Sequence, residues 1–394
     1  SLTLSSLTLS SLTLSSLTLA MASLTLPEAF WRPIRVASLN VHAWHGPSGK
    51  NLVLVADLVR EHRIDIIALQ EAIGGEQVAR LARNLGYHHV RAHANALLSR
   101  WPLARQFTAV LPFHRGTVFG LVRVPFSTTL PSSHEHEHEH EHDADDALPP
   151  PTSPTPTVDL RVHVTHLDHM YEPTRVRQLR HVLDIMNHDA TGDDGQSKPT
   201  RPLPSPISNA SECEIERGDA LSLDLDDLAR FRFHEPAVPR LLIGDFNSLF
   251  RRDYSQLQWD EIARVRERGR WEAPFSHVMD ALLLPPPPPH DAARSEPLLV
   301  DSRTASTIDV PAANVDDIAT CRFNTRIDYI LMRRVPSVRF VPGSYRVIDC
   351  SALTDHHMVV VDLELRFETP HTATATTATT TTTETSSSPS SIHE

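Results

Sequence analysis

The chain has 394 residues, is 40% hydrophobic and carries a formal charge of -12. It can bury one large core or two small ones, and its balance excludes the strongly basic surface of a protein held to nucleic acid mainly by phosphate charge. The tract His134–Asp146 holds seven acids and no Lys or Arg, so the rest is only mildly acidic and leaves room for a local basic groove.

The chain opens on repeats of Ser-Leu-Thr-Leu-Ser, and residues 1–30 read as low complexity outside the fold. The repeat lacks the basic n-region of a signal peptide and the arginines of a transit peptide. Ile34–Val41 is predicted as a strand, Asn51–His62 as a helix, Asp65–Leu69 as a strand and Gly75–Leu85 as a helix. Tyr87–His93, Ala96–Ser99, Gln106–Leu111 and Thr117–Pro125 read as short strands, with a hairpin around His114-Arg115-Gly116. Val158–Thr165 is a predicted strand. Pro173–Asn187 is an amphipathic helix with Val176, Leu179, Val182, Leu183 and Met186 on one face. Strand Arg240–Ile243, helix Ser255–Gly269 and strands Arg326–Met332 and Met358–Leu365 complete the series. Segments near 127–157 (His-Glu alternation, then Pro/Thr), 189–238 (Pro, Ser and acids) and 284–297 (a proline run) read as loops expanded within one domain spanning 31–368. The Thr/Ser-rich tail 369–394 is expected to be disordered. Mixed helices and partly antiparallel strands indicate an α/β or α+β sandwich.

Cys213, Cys321 and Cys350 show no CxxC spacing, which argues against a disulfide framework or a thiolate zinc site. Reduced thiols and the missing leader point to an intracellular protein, cytoplasmic or nuclear. No apolar run reaches the ~18 residues of a membrane span.

Polar clusters recur at or beside the strand-like runs. Gly244-Asp245-Phe246-Asn247 follows the apolar Arg240–Ile243, and sets a carboxylate and an amide two residues apart. That pair suits a water-activating base beside a phosphoryl-oxygen donor, though an Asx turn after a strand looks the same. Glu71 caps Ile66–Gln70, a natural place for a Mg²⁺ ligand and equally for a solvated strand end. Asp328 and His356 suit a carboxylate–imidazole dyad. His166 ends Val162–Thr165 and could donate to a phosphoryl or leaving oxygen. Asn40 could hold Glu71 or a metal-bound water. Arg175 and Gln178, three apart on the following helix, either face the same region or lie on a solvated helix face. With 24 histidines, no single one carries much weight.

Taken together and in order, Asn40, Gln70-Glu71, Thr165-His166-Leu167, Gly244-Asp245-Phe246-Asn247, Ile327-Asp328-Tyr329 and Asp355-His356 resemble the endonuclease/exonuclease/phosphatase, or DNase I-like, superfamily. Asn95-Ala96-Leu97-Leu98-Ser99-Arg100 is also similar to a segment common there, and the likeness runs from about Ile34 to Phe367. The resemblance implies a four-layer α/β sandwich: two packed mixed β-sheets flanked by helices. It implies phosphoester hydrolysis with Mg²⁺, or Mn²⁺ in its place. Glu71 would be the main metal ligand, with Asn40 beside it and Asp355 in or near the shell. Asp245 would position or deprotonate the attacking water, and Asn247 would help hold it or the phosphate. His356, oriented by Asp328, and His166 would bind phosphoryl oxygens.

The shared core does not choose among phosphoesters. Arg264, Arg266, Arg268 and Arg270 around Trp271 hint at a nucleic-acid backbone, but Glu261, Glu267 and Glu272 interleave as on a charge-balanced surface helix. A monomeric phosphodiesterase or nuclease acting on nucleic acid is expected. A phosphatase or a phosphoinositide- or sphingomyelin-directed hydrolase is the alternative, and a non-catalytic binding scaffold ranks below both because the motif residues are present.

Overall fold

The computed structural model describes residues 30–44, 50–126, 155–188, 225, 228, 231–233, 238–285, 296–306 and 318–367. Apart from Phe30 at the start of the first strand, the described sheets and helices lie within the unit Trp31–Phe367. The expected low-complexity repeat, the expanded loops and the tail fall almost wholly outside the described residues.

The strands are β1 (Phe30–Asn40), β2 (Ile66–Gln70), β3 (His88–Ala92), β4 (Asn95–Ser99), β5 (Leu103–Val110), β6 (Gly116–Pro125), β7 (Thr157–His166), β8 (Arg240–Asp245), β9 (Val300–Asp301), β10 (Asp328–Met332), β11 (Val338–Phe340), β12 (Arg346–Ile348) and β13 (Met358–Phe367). The helices are α1 (Lys50–Glu61), α2 (Gly75–Leu85), α3 (Glu172–His188), α4 (Gln256–Arg268), α5 (His277–Leu283) and α6 (Ser302–Ser306). Among the described residues, one sheet runs β11-β13-β1-β2-β4-β3 with β12 also on β13, and the other runs β5-β6-β7-β8-β10-β9. Each is mixed: β1–β2 and β7–β8 are parallel, while β2–β4 and β8–β10 are antiparallel.

Side-chain alternation builds the layers. Ile34, Val36, Ile66, Ala68 and Leu97 of the first sheet share one buried cluster with Val162, Leu241, Ile243 and Ile330 of the second. The intervening residues Ala37, Leu39, Ile67 and Leu69 pack instead on Val55, Val59, Val78 and Leu81 of α1 and α2. On the far side, Leu242, Tyr329 and Leu331 meet Val176, Leu179 and Val182 of α3 and Val278 and Met279 of α5. The order is helix, sheet, sheet, helix, as the resemblance implied. No helix among the described residues is long and apolar enough to cross a membrane.

Local signals set the ends. Ser255 accepts from Gln258 N and Gln258 returns a bond to Ser255 N, a capping box that starts α4. Gly86, at φ +69°, closes α2 in the left-handed region and donates to the Ala82 and Arg83 carbonyls. The strand predicted over Arg326–Met332 starts at Asp328 instead. Arg326 N–H donates to the Tyr254 hydroxyl and Ile327 N–H to Thr320 Oγ1, so both residues are held by side chains ahead of the ladder. The hairpin stands as β5–β6, joined through Pro112–His114. The short elements β9, β11, β12, α5 and α6 have no counterpart in the sequence reading; at 2–7 residues they carry too little periodicity.

Candidate active site

Asn40, His166 and Asp245 are the last residues of β1, β7 and β8, and Asp328 is the first of β10. Each continues, in steps of two, the alternation that places Ile34 and Val36, Leu160, Val162 and Val164, Leu241 and Ile243, or Ile330 and Met332 between the sheets. The same face that supplies the apolar core therefore ends in polar groups at one mouth of the sandwich. Register brings them together across chain distance: Asp328 lies opposite Asp245, His166 beside Asp245, and Asn40 beside Gln70. At the centre of this face β7 and β8 come close. A Cβ on Gly244 would sit 1.9 Å from the Thr165 carbonyl oxygen, so only glycine fits before Asp245.

Asn40 Nδ2 donates to Glu71 Oε1 and Asp245 Oδ2, both at 3.1 Å, while Asn40 Oδ1 accepts from His42 N–H at 2.9 Å. The amide thus ties the two carboxylates together. Glu71 stands at φ +52° and Asn247 at φ +49°, left-handed conformations outside glycine; such strain concentrates at functional sites. Asn247 N–H donates to Asp245 Oδ1 at 2.9 Å and its Nδ2 to the Leu167 carbonyl at 3.1 Å. One Asp245 oxygen is therefore committed to the turn. The other faces Asn40, His166 Nε2 at 3.6 Å and His356 Nε2 at 3.8 Å.

His356 Nδ1 lies 2.9 Å from Asp328 Oδ2. Burial works against a charged His356 ring, but the Asp328 charge and hydrogen bond, with Asp245, outweigh it and push the pKa up to about 10. The imidazolium is the resident form at neutral pH, with Nε2–H directed into the shared space. Asp245 is driven the other way for a carboxylate: burial first, then the Asp328 charge, raises it to about 7. His166 is held well below its ordinary value by burial and by the neighbouring Arg115 guanidinium. Arg115 lies 3.3 Å from His166 Nδ1 and 3.0 Å from His169 Nδ1. Since a guanidinium can only donate, His166 Nδ1 accepts and its proton sits on Nε2, toward Asp245 and toward Glu71 Oε1 at 3.9 Å.

The structure thus brings Asn40, Glu71, His166, Asp245, Asn247, Asp328 and His356 into one contact network. Asp355 stands outside it: Oδ1 is 2.8 Å from His42 Nδ1, and Oδ2 is 3.6 Å from Arg322 Nε. Of the two readings of Arg175 and Gln178, the solvated helix face fails, and both turn toward the loop that follows His166. Both are buried and both buttress the loop after β7. Arg175 bonds Glu172, Glu272 and the Asp168 carbonyl, while Gln178 accepts from Asp168 N–H and donates to the Pro112 carbonyl. Arg115 is the site residue that the sequence reading passed over. Its only signal was a place in a hairpin turn. Of the α4 arginines, Arg264 and Arg268 behave as a balanced surface set, both paired to Glu261, while Arg266 turns inward and donates to the Glu272 carbonyl.

Residues 39–356 match the Endonuclease/Exonuclease/phosphatase family, and the chain belongs to it. It is a phosphoester hydrolase by that membership. Among solved structures, it is similar to an endonuclease/exonuclease/phosphatase family protein from Bacteroides thetaiotaomicron, at 14% identity over 86% of this chain and 100% of that one, with a TM-score of 0.46. It is also similar to a mannosyl-6-phosphatase from Bacteroides thetaiotaomicron VPI-5482 at 15% identity, 84% and 99% coverage and a TM-score of 0.44. The human Nocturnin catalytic domain with bound sulfate shares 13% identity, with 86% and 97% coverage and a TM-score of 0.44. No curated protein matches the sequence.

Proposed function

We propose that this chain is a divalent-metal-dependent phosphodiesterase acting on nucleic acid, with Asp245 as the base and His166 and His356 as the phosphoryl-oxygen donors. The observation that carries this reading is the convergence of Asp245 Oδ2 with His166 Nε2 at 3.6 Å and His356 Nε2 at 3.8 Å. A proton acceptor and two donors then face one small volume. Asp245, at about 7, is basic enough to take a proton from an attacking water near neutral pH. Asn40 and the Asn247 N–H fix its orientation. His356, charged and braced by Asp328, and neutral His166, braced by Arg115, present N–H groups to the non-bridging oxygens. Donors fixed in advance stabilise the charge that builds in the pentacoordinate state.

The donor chemistry fits Mg²⁺. Glu71 is 30% exposed and bonds through Oε1 alone, so its Oε2 can take a cation that keeps several waters. Asn40, as oriented, steadies Glu71 rather than offering its own oxygen. Asp245, Asp328 and His356 also have ligand-type atoms within 4.8 Å of one another, but His356 Nδ1 is engaged by Asp328 and the charged ring has no free lone pair. The acidic excess around Asp245 is the charge that a cation would offset, and Asp355 would act at the margin of its shell. When bound, the ion supplies neutralisation of the phosphate and polarisation of a P–O bond.

The test is hydrolysis of single-stranded DNA, RNA, a phosphoinositide and sphingomyelin with and without Mg²⁺, using Asp245→Ala as control. Cleavage of a nucleic acid by the wild type and not by the variant is the expected result. Lipid hydrolysis without nuclease activity would overturn the substrate assignment.

A further inference from the structure

Beside the catalytic mouth stands an aromatic pair that the hydrolytic chemistry does not use. Trp271 and Phe323 are 45% and 46% exposed, and their rings meet edge to face at 5.1 Å between centroids. Contacts tie this pair to both histidine arms of the site. Toward His356, Phe323 follows Arg322, whose backbone N–H donates to the Asp355 carbonyl at 2.9 Å. The preceding Cys321 forms a bridge to His356 itself. Toward His166, the neighbouring Glu272 accepts from Glu172 N–H at 2.9 Å. Glu172 lies just past the loop that carries His169 and the exposed Met170 and Tyr171. Trp271 is thereby linked on one side, through Phe323, to the segment bridged to His356 and on the other, through Glu272, to the start of the helix that follows the His166 loop.

Its exposure is built in. Helix α4 ends with Arg270 N–H on the Glu267 carbonyl and Trp271 N–H on the Arg266 carbonyl, at 3.0 and 2.8 Å. Arg270 adopts φ +55° there, a left-handed position held by a non-glycine residue. In such an end the residue in the place of Trp271 commonly folds onto the helix; here nearly half of it stays open. Gly269 lets the indole lie close, since a Cβ there would come within 3.1 Å of the ring. The ring is thus fixed in place while it faces solvent. Charge completes the setting. The Arg322 guanidinium lies 4.8 Å from the Phe323 centroid and keeps 62% of its side chain exposed. Arg115 supplies a second cation on the opposite arm.

We infer that Trp271 and Phe323 form a stacking platform for an unpaired nucleobase adjacent to the scissile phosphate, with Arg322 and Arg115 flanking the backbone. The inference rests on the nucleic-acid reading of the active site and adds the feature that distinguishes a base-bearing strand from a bare phosphodiester. Exposed aromatic rings next to arginines suit every base, because each offers a π-face and each strand a negative backbone.

The test compares kcat/KM for a short single strand with kcat/KM for an abasic strand of the same length. In the Trp271→Ala variant the ratio of the two is expected to fall on the order of tenfold, in line with loss of one stacked base. Trp271→Phe should retain most of it, and Phe323→Ala should lose part. The ratio is insensitive to the fraction of folded protein. An unchanged ratio in Trp271→Ala, with both strands still cleaved, overturns the platform and leaves the nuclease reading standing. Failure of the wild type to cleave either strand, alongside hydrolysis of bis(p-nitrophenyl) phosphate, overturns both. Binding to phosphatidylcholine vesicles that is lost with Trp271 assigns the rim to a lipid surface and also overturns the platform.

Discussion

Two buried ionic clusters sit on the same sheet and do opposite work. Behind β10, Arg326 lies 2.9 and 2.5 Å from the two oxygens of Asp301 and 3.1 Å from Asp253, which Arg303 also reaches at 2.8 Å. Two guanidinium groups meet two carboxylates, and Tyr254 and Tyr329 enclose them. Two residues further along, Asp328 belongs to the other cluster, where the carboxylates of Asp245, Asp328 and Glu71 outnumber the cations, His356 among them and Arg115 beyond His166. The first cluster is balanced and structural. The second holds excess acid, and Asp328 Oδ1 is buried without a partner. Burial, then the neighbouring Asp328 charge, moves Asp245 to about 7, and Asp328 and Asp245 together move His356 to about 10 against its burial. Geometry alone does not separate a brace from a reactive centre; the residual charge does.

The sharpest way to break the comparison is to remove one acid from each side. Asp245→Ala should lower kcat by roughly 10²–10⁴-fold, the span of a lost general base, with little change in the urea midpoint. Asp301→Ala should do the reverse. It takes the two-point partner from the fully buried Arg326 and leaves it only Asp253, and breaking such a buried pair costs about 3–5 kcal/mol of stability, read from the same urea titration. If Asp301→Ala instead leaves stability untouched, the brace is not one.

A smaller effect is expected at Arg115. Arg115→Met should lower kcat on the order of tenfold, the scale seen when a group that orients a ligand is lost. In ¹⁵N spectra His166 should then no longer show the proton confined to Nε2. A spectrum that does not change would mean that the guanidinium does not set the tautomer.

The last effect is on stability and comes from the other face of β7. His163 is buried against Phe119 with neither ring nitrogen bonded, and burial, with the Arg240 and Arg161 charges, lowers its pKa to about 3. The unfolded imidazole takes up its proton as pH falls through 6.5, while the folded one stays neutral down to about 3. Between those values the unfolded state binds more protons, so stability is lost as pH falls. His163→Phe should flatten that part of the stability–pH curve, measured as Tm from pH 7 to 4. An identical slope in the variant would remove His163 as the source.

How much of this was legible follows from what each residue depends on. The strands that end in Asn40, His166 and Asp245 announce themselves, because an apolar run that stops at a polar residue is local information. So does α4, where Ser255 and Gln258 form the cap. Arg115 does not, because its role exists only once β5–β6 folds over the β7 loop. Asp253 and Asp301 are likewise isolated acids until Arg326 is brought between them. Arg175 stayed open between two readings because its partner Glu272 lies 97 positions away. The short β9, β11 and β12 owe their existence to neighbours already in place. Tertiary contacts, which one window of sequence does not contain, made the difference in each case.

The account turns on a cation held by Glu71 beside the Asp245 base. Strand hydrolysis by the wild type and by Glu71→Gln should be measured as Mg²⁺ is raised from a chelated start. We predict no turnover without the ion, saturation in the wild type, and a curve displaced to higher Mg²⁺ in Glu71→Gln. Full activity in excess chelator, or identical Mg²⁺ curves for the two proteins, would contradict it.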